Sequence, residues 1–313
     1  MATTLSAPTV ADSKEKISDP MDTVIPSKEY KWWLNNIDHL ITPQRRKVFE
    51  NYSNIPPEDV RQHIYDIKAW AIRQYPCTGL GRFLNNLFAQ SPAYNDIVVR
   101  LKNGDSFIDI GCFLGQDLRQ LVWDLDGAPT TNLHGTDIVN HWDLGYELFK
   151  DKDRFKVDYF EDDMMQPGEK LMALQGTMDV ILINQIFHQW GIENQIEGAT
   201  QLVKLSRDRP GSLILGYQCG VPEQREVVGP KGSKYRPLLH SRKLGRNCGM
   251  ELGKEQERNG RRNQSCLLGS NSDMIPRKRY GWEESLDGII ISPKIPSFDS
   301  SNQKLGQQNR TAF

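Results

Sequence analysis

The chain has 313 residues, enough for one large α/β domain with an extension or for two average domains. Its formal net charge of -1 conceals a division: residues 1–220 carry 22 Lys and Arg against 30 Asp and Glu, whereas residues 221–313 carry 17 against 10, and only 26 of those last 93 residues are apolar. No stretch approaches the roughly 18–20 apolar residues that span a bilayer, no secretory signal opens the chain, and five scattered cysteines form neither a disulfide framework nor a C-x-x-C zinc pattern. The expectation is a reducing, cytoplasmic setting with no membrane and no metal.

Residues 1–29, rich in Ala, Thr, Ser, Asp and Pro, read as a disordered leader, and residues 30–103 as a helical cap. Val60, Ile64, Ile67 and Ala71 repeat at helical spacing after Pro56-Pro57-Glu58-Asp59, a natural helix start, and Pro76 is expected to end that helix. Ser91-Pro92 opens another helix, which Asn103-Gly104 turns out of. From residue 104 to 220 strand and helix alternate. The strands are Ser106–Ile110, Asn132–Thr136, Phe155–Phe160, Met178–Ile183 and Ser212–Tyr217; the helices between them are Gln116–Trp123, Asp143–Phe149, Glu169–Leu174 and Glu193–Leu205. Apolar strands in such an alternation predict a Rossmann-like, doubly wound, mostly parallel α/β sheet covered on both faces. Past Gly220 the alternation stops, and only Gly288–Ser292 looks like a strand.

The first strand runs into Asp109-x-Gly111-x-x-x-Gly115. In an open α/β sheet the first strand-to-helix turn is the usual ligand cradle; Gly111 lets backbone approach a ligand and Gly115 starts the helix tightly. A dinucleotide site asks for G-x-G-x-x-G, and an acid at Asp109 repels a pyrophosphate but suits a cationic amino group such as that of S-adenosylmethionine. Asp137, at the end of the second strand, is placed to accept two ribose hydroxyls. After the third strand, a carboxylate of the Asp162-Asp163 pair can accept an adenine amine, with Met164 against the ring. His188, in the loop after the fourth strand, is the candidate general base.

These residues resemble class I S-adenosylmethionine-dependent methyltransferases, and more narrowly the fungal small-molecule methyltransferases of meroterpenoid and polyketide pathways. The narrower likeness rests on Ile55–Val60 with His63 and Ile64, Tyr75–Gly79 with Arg82–Leu84, the Asp109–Arg119 block, Leu144–Asp151, Phe187-His188 and Pro210–Gly216, about residues 30–220 in all. The resemblance implies S-adenosylmethionine as cofactor, held by Asp109, Gly111, Gly115, Asp137 and Asp163, the last preferred to Asp162 because it precedes the apolar pair Met164-Met165. It implies O-methylation of a carboxyl or hydroxyl group on a small apolar terpenoid or aromatic acid or phenol. Trp32, Trp33, Trp70, Tyr75 and Phe83 suit either a lid over such a molecule or ordinary core. Where the family closes its sheet with further strands, residues 221–313 give a basic, aperiodic segment, read as an atypical, incomplete or frame-shifted end of the domain. That segment keeps two other functions open: an impaired, methyltransferase-like binding protein, and an RNA methyltransferase using the basic tail. Oligomeric state is not legible.

Overall fold

The computed structural model describes residues 33–70, 76–85, 87–220, 227–228, 234–235 and 285–291, so the leader and most of the basic segment lie outside the described residues. Along the chain run α1 (Pro43–Lys47), α2 (Val60–Trp70), α3 (Pro76–Gly79), α4 (Tyr94–Lys102), β1 (Phe107–Ile110), α5 (Gln116–Leu125), β2 (Leu133–Asp137) and α6 (Trp142–Phe149). They continue with β3 (Asp158–Glu161), α7 (Glu169–Ala173), β4 (Val180–Ile183), α8 (Ile192–Leu205), β5 (Leu213–Gly220), the two-residue strands β6 (Val227–Val228) and β7 (Lys234–Tyr235), and β8 (Ser285–Ile291). Among the described residues no helix is long and apolar enough to cross a membrane.

Contacts divide the chain into two compact units, one of residues 1–85 and 138–150, the other of residues 86–137 and 151–313. In the second, the sheet order is β3-β2-β1-β4-β5-β8, with five parallel strands and β8 antiparallel on β5. This is the expected Rossmann-like sheet. The order reverses between β1 and β4, the position outside whose carboxyl strand ends open α/β sheets generally bind ligands. Every residue of β1 (Phe-Ile-Asp-Ile) and β4 (Val-Ile-Leu-Ile) is buried, as an apolar run in a two-sided sheet requires. β3 starts three residues later than its sequence suggests. Phe155 is buried without joining the ladder, because it lies under the Arg119 guanidinium at 4.3 Å. The strand expected over Gly288–Ser292 is present as β8, pairing Ile214 with Ile291 and Gly220 with Ser285.

Two ionic devices hold this unit. Arg119 and Asp151 are fully buried and paired through two contacts, 2.7 Å and 3.0 Å, and Arg119 Nη1 also donates to Leu114 O at 2.6 Å. At the amino ends of the strands, Asp179 accepts from Ser106 N and Oγ at 3.0 Å each, and meets Arg207 at 2.8 Å and Arg209 at 2.7 Å. Burial pushes the Asp179 carboxyl up, but the Ser106 hydrogen bonds and the two guanidinium groups outweigh it and hold the group below its ordinary range. The opposite, carboxyl ends of the strands are left for chemistry.

In the first unit, the expected helix appears as α2, with Val60, Ile64 and Ile67 buried. Pro76 opens α3, which suits its fixed φ and missing N–H, while the expected end of the preceding helix falls on residues 71–75, outside the described residues. Thr42 caps α1 by accepting from Arg45 N at 3.3 Å. The buried Arg45 guanidinium then donates to Leu84 O and Asn85 O at 3.0 and 2.6 Å. α6 belongs to this unit: Phe149 stacks on Phe49 with centroids 5.5 Å apart, and His63 Nε2 lies 2.9 Å from Leu148 O.

Candidate functional site

The turn after β1 contains three left-handed residues in five: Gly111 (φ 70°), Phe113 (φ 51°) and Gly115 (φ 65°). Two are glycines, for which that region costs nothing; Phe113 is not, and something must hold it there. Its N–H donates to Asp137 Oδ2 at 2.8 Å, while Gly111 N–H and Cys112 N–H both donate to Thr136 O at 2.8 and 3.1 Å. The end of β2 thus shapes the turn after β1. Gly115 then caps α5, its N–H on Cys112 O at 2.8 Å.

The open side of Gly111, expected to face a ligand, is instead filled by protein. A Cβ there would stand 2.8 Å from Ile186 Cγ1 and closer still to Cδ1. Ile186 belongs to the loop after β4. That loop is fixed again at Gln185, whose N–H donates to Tyr217 O at 2.8 Å while it holds φ 58°, and at Asn184, whose amide bridges Asp117 Oδ2 and Tyr217 N at 3.2 Å each. His188 lies in the 3-10 turn Phe187–Gln189 that follows, and its side chain is outside the described residues. Beside it, Phe187 and Trp190 meet edge to face at 5.6 Å, and Trp190 fits over Gly198 of α8, where a Cβ would collide with its ring.

Asp109 is 2% exposed, and its Oδ2 has no hydrogen-bond partner. Burial pushes its carboxyl well above the ordinary carboxylate range, and the charges of Asp117 and Asp137 push the same way. Asp117 was not singled out from the sequence. An acid in the first turn of a helix ordinarily reads as a partner of the helix dipole in solvent, and only the fold shows it buried and near enough for its charge to act on Asp109.

The acids after β3 separate cleanly. Asp162 is consumed by backbone: Oδ1 accepts from Asp163 N and Gly168 N at 2.9 and 2.8 Å, and Oδ2 from Leu171 N at 3.3 Å. Asp163 accepts from Met165 N at 2.8 Å through Oδ1 alone. Met164 is buried in the apolar core with Ile110, Phe160 and Ile183, and Met165 packs partly buried against it. The sheet therefore brings Asp109, Gly111, Gly115, Asp137 and Asp163 to the carboxyl ends of three successive strands, whereas the Met164 side chain, expected against a ring, is packed into the core. Trp32 and Tyr75, and the side chain of Trp70, lie outside the described residues; Phe83 is buried core.

Residues 32–84 match a family described as meroterpenoid methyltransferase N-terminal domain. The chain is 33% identical over 261 residues to O-methyltransferase phiE of a fungal species (strain ATCC 74256), covering 81% of this chain and 85% of that protein. An alignment of that length runs past Gly220 into the basic segment. It is 36% identical over 207 residues to O-methyltransferase atr3 of Stereocaulon alpinum, covering 64% of this chain and 59% of that one. It is also 37% identical over 175 residues to the Asnovolin E/Chermesin D methyltransferase nvfJ of Aspergillus novofumigatus, covering 55% and 62%. The chain thus spans about three-fifths of the length of the last two relatives.

Proposed function

The chain belongs to this family of fungal O-methyltransferases, and on that premise we propose that it transfers a methyl group from S-adenosylmethionine to a carboxyl or hydroxyl oxygen of a small apolar molecule. The observation that carries the reading is the series of acids at successive strand ends, Asp109, Asp137 and Asp163, the first with a buried oxygen that no protein donor meets. A ligand with an ammonium, a ribose diol and an adenine amine answers all three. The match of residues 32–84 favours a meroterpenoid acceptor.

The cofactor supplies a methyl group already activated on a sulfonium. The chain's own work is to bind, orient and exclude water. Asp137, whose Oδ2 accepts from Phe113 N–H, would hold the ribose hydroxyls through its carboxylate. Asp163, with Oδ1 turned onto Met165 N–H, offers Oδ2 to the adenine amine. Fixing the acceptor oxygen in line with the methyl group supplies much of the rate, because orientation alone is worth several kcal/mol. A carboxylate acceptor, with a pKa of about 4, is ionised at neutral pH and needs no base. For a hydroxyl acceptor, His188 is the residue whose place in the loop after β4 suits proton removal.

Calorimetry with S-adenosylmethionine tests the reading. Asp137→Asn keeps an amide oxygen for Phe113 N–H but puts an NH2 where the ribose needs an acceptor. It should weaken binding by about 10- to 100-fold, the worth of hydrogen bonds to a charged group. Mass spectrometry after incubation with terpenoid acids and phenols should show a methyl group gained. A folded chain that does not bind S-adenosylmethionine overturns the reading.

A further inference from the structure

Two buried carboxylates feel each other's charge where β1 gives way to α5: Asp109, 2% exposed, and Asp117, 3% exposed. Their surroundings are not equivalent. Tyr217 N–H donates to Asn184 Oδ1 at 3.2 Å, and a backbone N–H can only donate, so this contact decides which way round the Asn184 amide lies. The other end, Nδ2, therefore donates to Asp117 Oδ2 at 3.2 Å. Asp117 also sits in the first turn of a ten-residue helix, where the partial positive charge favours an anion. Asp109 Oδ2 has no donor at all. Neighbouring buried carboxylates do not both ionise readily, and a hydrogen-bond donor stabilises the charge on whichever oxygen it meets.

Resting on the function proposed above, we propose that in the empty site Asp117 carries the charge and Asp109 the proton, and that the cofactor's cationic amino group expels that proton on binding. Asn184 is the positioning residue that sets the division. The balance is simple: the O–H bond of the Asp109 carboxyl breaks, the proton passes to solvent, and the carboxylate left behind neutralises the ligand's ammonium, whose own protons are unchanged. The charged groups that face Asp109 are Asp117 from α5 and Asp137 from β2; from β4 its register partner is Leu182, and Asn184 is neutral. Burial and both of those carboxylates hold the Asp109 carboxyl high, in the same direction as the hydrogen-bond argument. Such a device makes the empty site electrically quieter than its acid count suggests, and reserves the second negative charge for a cationic ligand.

The test is calorimetry of the full chain at about pH 5.5–7, below the range where the ligand's α-amino group titrates, in buffers of differing ionisation enthalpy. S-adenosylmethionine and S-adenosylhomocysteine should each release close to one proton; 5′-methylthioadenosine, which lacks the amino-acid moiety, should release none. Affinity for the first two should rise with pH, by up to about tenfold per unit, for as long as Asp109 of the ligand-free protein keeps its proton. Asp117→Asn removes one of the charges that oppose Asp109 ionisation and leaves burial and Asp137 in place, so proton release should fall below that of the parent without vanishing. Asn184→Ala should shift the affinity profile to higher pH and Asn184→Ser, which restores a donor, should bring it part of the way back; a merely structural Asn184 would lower affinity equally at every pH. Tight binding with no proton exchange, or release unaltered in Asp117→Asn, overturns the inference while leaving the methyltransferase reading intact. No binding of either nucleoside overturns both.

Discussion

Gly111→Ala isolates the contact on which the turn and the loop after β4 both depend. The new Cβ would stand 2.8 Å from Ile186 Cγ1 and nearer to Cδ1. Ordinary carbon contacts lie at about 3.5–4.0 Å, so the Ile186 side chain has to withdraw by about 1 Å. Ile186 is partly buried against the core that includes Ile110, Ile183 and Phe187, and repacking there costs about 1–3 kcal/mol. The left-handed backbone, at φ 70°, adds about 1–2 kcal/mol for a residue with a Cβ. The single variant should therefore lose about 2–5 kcal/mol in urea unfolding. In an Ile186→Ala background the collision is gone and only the backbone cost remains, so a double-mutant cycle should return a coupling of about 1–3 kcal/mol. Coupling within about 0.5 kcal/mol of zero would show that Ile186 does not occupy this place in solution.

Two further outcomes follow from the buried charges. Arg119→Met leaves the Asp151 carboxylate buried without its guanidinium and should cost about 3–5 kcal/mol by chemical denaturation, whereas Arg119→Met with Asp151→Leu should recover most of it; a single-variant cost below about 1 kcal/mol contradicts the pairing. Asp109 has a raised carboxyl in the fold, so its favourable neutral form is fully present below the unfolded carboxylate pKa and is lost as pH rises through the folded one. Asp109→Asn should therefore unfold at higher denaturant than the parent, by about 1–3 kcal/mol once the parent's carboxyl has ionised, with the gap narrowing in acid. A variant less stable than its parent at every pH would contradict that sign.

The sheet was readable from residues because its strands are short apolar runs, and the glycine spacing at residues 111 and 115 marks positions where the backbone turns left-handed. Strand ends were harder. Phe155 has strand composition, but it lies buried under Arg119, which no local pattern reveals. Phe113 gave no signal of its left-handed φ, since the force holding it is a carboxylate 24 residues away. The preference for Asp163 over Asp162 came from resemblance, and the geometry supplies a physical reason: Asp162 is spent on three backbone N–H groups. Asp117 and Asn184 escaped notice because each is ordinary in its own element and matters only through the pairing between α5, β4 and β5.

The place of α6 has a consequence for anyone recombining relatives of this chain. The sheet unit stops at Asp137, the helical unit takes residues 138–150, and the sheet unit resumes at Asp151, so with the junction at Asn85 the backbone changes unit three times. Asp137 and Asp151, the residues either side of the excursion, are each tied to the α5 region, one through Phe113 and the other through Arg119. A chimaera that exchanges residues up to Asn85 alone would match a foreign Phe49 and His63 against the resident Phe149 and Leu148. The transferable module is therefore discontinuous, and it has to be moved as two blocks, the second cut between those two anchored aspartates.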